Sequence, residues 1–231
     1  MAGAGFLVAL VGVSAIPAIL VFFWFRRSAY PISSRLFLLC FVVGASAVFV
    51  ALVLGAVFSG AFSFLAARAG LWVEIFFRAP LVEELSRLLL FIPLFCLFSR
   101  FGAWNTALER GASARTMGRA CGLVAGLGFG ALESAIYGAS YPMNALLRAF
   151  TSTPLHAACG ARVGSAVAIF RDAPLPGAAH FLSAVAIHGV YNYLILSPGR
   201  LTAWVAIFVA LSALASSAQL ISRGMRASES G

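Results

Sequence analysis

The chain has 231 residues, of which 62% are hydrophobic and 10% charged, with a formal net charge of +9 and a mean hydropathy of +1.00. This composition excludes a water-soluble globule of that length and predicts an all-α polytopic membrane protein, a single integral-membrane domain over residues 1–231. The positive charge does not imply nucleic acid, because it is carried by arginines that fall mostly between apolar runs, where they report topology. Those runs are too long for barrel strands, which are shorter and alternate in polarity.

In chain order, seven spans are predicted near residues 4–25, 36–58, 80–98, 118–138, 150–170, 179–197 and 201–222. Each can cross a hydrocarbon core of about 30 Å as a helix. The first lacks a basic leader and is too long for a cleaved signal. Residues 61–79 carry Arg68, Glu74 and Arg78 and are predicted as an interfacial or re-entrant segment. The fourth span repeats small residues every fourth position, Gly118, Gly122, Gly126, Gly130 and Ser134. Such a ridge lets a second helix approach closely, here beside Glu133. Cys40, Cys96, Cys121 and Cys159 lie in apolar runs without metal-ligand spacing and are predicted as core residues. Residues 223–231 are predicted as a short cytoplasmic tail. An outside N-terminus places ten loop arginines inside and four outside, so the N-terminus is predicted to be extracytoplasmic.

The third span contains "LVEELSR", residues 81–87. On the insertion scale an ionised side chain near the bilayer centre costs roughly 3 kcal/mol, against about 0.3 to 0.6 returned by each Leu, Ile or Phe. Glu83, Glu84 and Arg87 therefore do not face lipid there. Arg87 reaches either glutamate at helical spacing, which leaves one carboxylate without a cation, a state suited to proton transfer.

Glu133, His156, His188 and Asn192 raise the same question on the next three spans. Consecutive spans run in opposite directions at about 1.5 Å per residue. Glu83 and Glu84 follow the start of span three, Glu133 precedes the end of span four, His156 follows the start of span five, and Asn192 precedes the end of span six. All fall at one membrane face, the outer one by the arginine distribution, with His188 a turn deeper. A polar site enclosed by spans three to six follows. Such a site can activate water, with a carboxylate as base and His and Asn as donors to a developing oxyanion, and it can equally bind a metal or relay protons.

Glu83-Glu84-Leu85-Ser86-Arg87, Phe129 through Glu133, His156, and His188 through Asn192, in this order, resemble the motifs of the PrsW family of membrane proteases, related to the CAAX-protease and bacteriocin-processing superfamily. The resemblance covers residues 79–194, a catalytic four-helix core. Arg87 stands where the family usually has Lys, and Ser134 where Asn is common. The resemblance implies hydrolysis of a peptide bond of a membrane-anchored protein, anti-sigma-factor-like substrates included, near the outer face of a bacterial inner membrane. It implies essential roles for the paired glutamates and a histidine.

The favoured chemistry is a glutamic-type peptidase without a cofactor. Glu83 or Glu84 is the base, Glu133, His156, His188 and Asn192 complete the site, and Arg87 and Phe129 support it. The alternative is a zinc site of Glu133, His156 and His188, an open three-ligand set. Other protease classes lack their residues: there is no HExxH, and Asp172 is the only aspartate. A proton-coupled transporter is the reading from another class; it requires polar groups through both halves of the bilayer, whereas stretches such as Leu88 to Phe98 are apolar. Arg162, deep in span five, needs an anionic partner, for which Glu133 is the candidate, or water, and His180 is placed at the inner interface.

Overall fold

The computed structural model describes residues 4–27, 32–98 and 113–226, and all elements among them are helical. Helices α1 (Ala4–Ser14) and α2 (Ile16–Arg26) are bent by 47° at Ala15, where Pro17 in the first turn of α2 cannot continue the hydrogen-bonding of α1. Helix α3 runs from Ser34 to Ala69, 36 residues or about 54 Å. It ends at Gly70, whose φ of +69° a side chain would disfavour. A short return follows, α4 (Leu71–Val73) and a π-helical turn, π1 (Glu74–Arg78). Then come α5 (Ala79–Phe98), α6 (Ala114–Gly138), α7 (Pro142–Phe150), α8 (Ser152–Ile169), α9 (Pro174–Leu196) and α10 (Arg200–Arg226).

Residues 61–69 thus continue α3 instead of forming a separate interfacial helix, and the chain turns only at Gly70. Residues 223–226 of the expected tail continue α10, which extends to Arg226; residues 227–231 lie outside the described part. Among the described residues, four helices are long and apolar enough to cross a membrane: Ser34–Gly60 within α3, α6, α9 and α10. The bent α1–α2 pair makes a fifth. The predicted seven included α5 and α8, which fall short for a physical reason. Helix α5 is diluted by Glu83, Glu84 and Arg87. Helix α8 is rich in small and polar residues, and nearly all of it is buried by other helices, so its side chains need not be lipophilic.

Helices α6 and α8 form the centre. In lipid there is little hydrophobic drive between helices, so close van der Waals contact holds them together. The predicted glycine ridge supplies it. A Cβ built on Gly118 would meet Gly164 O, one on Gly122 would meet Gly160 O, and one on Gly126 would meet His156 O. The other side of α6 receives α3, where a Cβ on Gly44 would strike Ala125 and one on Gly128 would strike Phe41. On the side of the bundle where α6 begins, Phe25, Phe91, Met117, Leu123 and Ile221 close one apolar cluster with Cys40 and Cys121. Cys159 is also buried, whereas Cys96 is exposed.

Candidate active site

The α6–α8 contact decides where the polar residues meet. Because Gly126 and Gly130 have no side chains, α8 lies directly on α6, and His156 of α8 comes against Glu133, one turn beyond Phe129 on α6. His156 Nε2 is 2.8 Å from Glu133 Oε2, and its ring packs at 5.0 Å from Phe129. Ser134 Oγ, the last member of the ridge, is 3.3 Å from Thr153 Oγ1.

Helix α5 brings the second group. The π1 turn before it shifts the helical phase, and the Glu74–Arg78 ion pair closes that turn. Gly189 of α9 lies against Phe76 of π1, so α9 sits close to the start of α5, with Trp72 and Tyr193 stacked at 4.9 Å beside it. In that arrangement Glu84 and Arg87 are buried and Glu83 is half-buried. Arg87 Nη2 lies 2.8 Å from Glu84 Oε1 and 3.1 Å from His156 Nδ1, while Nη1 donates to His156 O at 3.3 Å. Its guanidinium carbon stands 4.4 Å over the Phe129 ring, a cation–π contact.

His188 completes the cluster. Its Nδ1 is 2.8 Å from Glu84 Oε1, its Nε2 is 3.7 Å from Glu83 Oε2, and its ring is perpendicular to His156 at 5.1 Å. These contacts assign protons. A guanidinium only donates, so His156 Nδ1 accepts from Arg87 and Nε2–H donates to Glu133. Ionised Glu84 only accepts, so His188 Nδ1–H donates to it and Nε2 faces Glu83.

The charges do not balance. Arg87 pairs with Glu84, and Arg148 Nη2 pairs with Glu133 at 2.6 Å. Glu83 has only a long approach to Arg87, 3.8 Å, and its Oε2 is buried without a hydrogen-bond partner. Sequence reasoning thus anticipated the surplus carboxylate, and the geometry places it on Glu83.

Four of the predicted helices therefore bring Glu83, Glu84, Arg87, Phe129, Glu133, His156 and His188 together. Asn192 lies one turn beyond His188, half-buried, and makes no hydrogen bond among the described residues. Two expectations change. Glu133 takes Arg148, not Arg162, as its cation; Arg162 donates to Ala158 O at 2.9 Å and Ser217 Oγ at 3.1 Å. The group whose ligand atoms converge, within 4.8 Å of one another, is Glu83, His156 and His188, with Glu83 where Glu133 was expected. Arg148 was missed because residues 139–149 read as a loop. They contain α7, which returns Arg148 over Glu133, 3.1 Å from Ser152 Oγ and 4.2 Å over the Tyr137 ring. The i, i+4 spacing of Arg148 and Ser152 beside a predicted helix start was the available signal.

A cavity of about 350 Å³ adjoins the cluster between α3, α5 and α6. Glu83 and Glu133 line it together with Val48, Leu52, Val82 and Tyr137, and Arg78 stands at its edge. Leu52 and Tyr137 are exposed, so the cavity reaches the side of the bundle.

The model of a family described as PrsW family intramembrane metalloprotease matches residues 33–216, which include every residue of the cluster. No curated protein and no solved structure matches the chain.

Proposed function

The chain belongs to the PrsW family of intramembrane metalloproteases, and on that premise we propose that it cleaves a membrane-anchored protein with water activated by Glu83. Membership makes it an integral membrane peptidase acting on a membrane-embedded substrate. The observation that carries the choice of base is that Glu83, its Oε2 unpartnered and beside His188 Nε2, has no ion contact shorter than 3.7 Å. A general base must be within reach of its water and not consumed by ion pairs. Glu84 is ion-paired instead: Arg87 and His188 both hold its Oε1 at 2.8 Å, and only its Oε2 is unpartnered. It is a positioning residue that fixes the imidazole.

The remaining groups have complementary work. A substrate segment enters from the side of the bundle along the apolar wall of the cavity, which supports a hydrophobic residue next to the scissile bond. Glu83 takes the proton of the attacking water and hands it to Nε2 of His188, whose Nδ1–H stays anchored on Glu84, and Nε2 delivers that proton to the leaving amine. Asn192, one turn from His188, supplies an amide donor to the oxyanion. Glu133 and Arg148 hold His156, and through it Arg87, in place.

Helices α5 and α8 cross the membrane within the shelter of the others, which makes seven spans with α1–α2 as one. The arginine distribution supports an extracytoplasmic N-terminus and a site in the outer half of a bacterial inner membrane.

A second reading has its own observation, and the description of the family as metalloproteases speaks for it. Glu83, His156 and His188 offer two imidazole nitrogens and a carboxylate oxygen, the donor types of an open catalytic zinc site. The orphaned Glu83 oxygen and the Glu84-anchored His188, a carboxylate–histidine arrangement common beside zinc, fit such an ion. Only His156 would have to exchange one of its two hydrogen bonds. Zinc held there would supply an activated water and polarise the scissile carbonyl. The first reading is preferred because it needs no such exchange beside the Arg87 guanidinium.

Co-expression with candidate single-span membrane proteins tests the peptidase assignment. The wild type should yield a cleavage product that Glu83→Gln, Glu84→Ala and His156→Ala lose; identical fragment patterns in all four across many candidates would remove it.

A further inference from the structure

The end of the bundle opposite the active site carries a second polar cluster, three arginines and a histidine with no carboxylate paired to them among the described residues. Arg115 and Arg119 are on the first turns of α6, Arg162 is near the middle of α8, and His180 is on the second turn of α9. Arg119 is only 8% exposed, with Arg115 and Arg162 the charged groups acting on it. The charges acting on His180 are those of Arg115, Arg119 and Arg162.

Every hydrogen-bond partner of this cluster among the described residues is neutral. Arg119 Nε donates to Ser165 Oγ at 3.1 Å, Arg162 Nη1 to Ser217 Oγ and Ala158 O, and Arg115 Nη2 to His180 Nε2 at 2.5 Å. Glu84, whose charge acts on Arg162, is paired with Arg87 and His188, and Glu133 with Arg148 and His156. Asp172, the remaining described acid on this side, is exposed in the α8–α9 turn and pairs with none of them. A buried guanidinium is stable only when a counter-charge satisfies it.

We propose that Arg115, Arg119, Arg162 and His180 form a binding site for a phosphate-bearing anion between α6, α8 and α9. Guanidinium forks match phosphate oxygens in geometry as well as charge, and Arg119 and Arg162 present theirs from facing helices. Basic pockets between membrane helices on the cytoplasmic side take anionic lipid headgroups, and the arginine distribution puts this end inside. The same cradle accepts a free phosphate, so the source is left to the test. Because α6 and α8 also carry Glu133 and His156 at their other ends, occupancy ties the two helices together on the inner side.

Binding is read on the full-length protein in a neutral detergent by native mass spectrometry and by thermal stability. The additions are dioleoylphosphatidylglycerol, dioleoylphosphatidylcholine or inorganic phosphate. The wild type should retain and be stabilised by phosphatidylglycerol but not phosphatidylcholine; stabilisation by inorganic phosphate alone assigns the site to a soluble anion. The Arg119→Gln/Arg162→Gln protein should bind the favoured anion about tenfold or more weakly, as loss of charge-assisted hydrogen bonds requires. Should that protein fail to fold, Arg115→Gln, at an exposed position, should weaken binding in the same direction, whereas Arg200→Gln, outside the cluster, should not. No preference for either anion by the wild type, or equal binding by wild type and the Arg115 and Arg119/Arg162 variants, overturns the site. Neither outcome depends on peptidase activity.

Discussion

Glu84 Oε1 lies 2.8 Å from His188 Nδ1, and this contact turns the other ring nitrogen, Nε2, toward Glu83. Adjacent glutamates thus differ in their contacts: Glu84 holds Arg87 and His188 through Oε1, although its Oε2 is unpartnered, whereas Glu83 makes no close ion contact. Replacing Glu84 by Ala leaves Arg87 buried without its counter-ion, at a cost on the order of 3 kcal/mol. Glu83→Gln removes no short ion pair and should unfold within about 1 kcal/mol of wild type. Thermal unfolding in detergent distinguishes the two; equal destabilisation would contradict the division of roles.

Arg148 is expected to act on activity through Glu133. Arg148→Gln frees Glu133 and releases the cation over Tyr137, so cleavage should fall about tenfold, the scale of one charge-assisted hydrogen bond. Arg148→Lys, which keeps the charge, should recover much of the loss. A rate unchanged in Arg148→Gln would remove Arg148 from the site.

Gly126 is where the fold and the site share one atom's worth of space. A methyl there falls on the His156 carbonyl, so Gly126→Ala must separate α6 from α8 and carry His156 away from Glu133. Overpacking of this kind costs about 1 to 3 kcal/mol. Gly12, with nothing near its would-be Cβ, is the control, and Gly12→Ala should unfold like wild type. Both are compared by unfolding and by cleavage; a neutral Gly126→Ala would show that the contact is looser than described.

The two readings of the site separate on metal removal. Protein dialysed exhaustively against a strong chelator is expected to keep cleaving, since Glu83 and His188 suffice on the preferred reading. Loss of activity restored by zinc alone, with one zinc per chain in wild type and none in His188→Ala, would assign Glu83, His156 and His188 to the ion instead.

Much of this was legible in the sequence because two regularities constrain it. Antiparallel spans with a fixed rise put Glu84, Glu133 and His156 near one membrane face with His188 a turn deeper, and the four-residue glycine spacing identified the face of α6 that receives α8. What stayed hidden depends on tertiary detail. Hydropathy cannot distinguish a lipid-facing span from α8, which is polar because other helices enclose it. Arg148 sat in an apparent loop until α7 folded it back over Glu133. The contacts of Glu83 and Glu84 differ through the rotation of α5 and the choice of ring nitrogen by His188, neither of which spacing encodes.

The central claim is that Glu83 activates water. The most direct measurement is single-turnover cleavage of a purified single-span substrate in proteoliposomes by wild type and Glu83→Gln, with equal folding verified first. Loss of a general base should slow cleavage by about 10² to 10⁴-fold. A Glu83→Gln protein that cleaves at the wild-type rate would contradict the account.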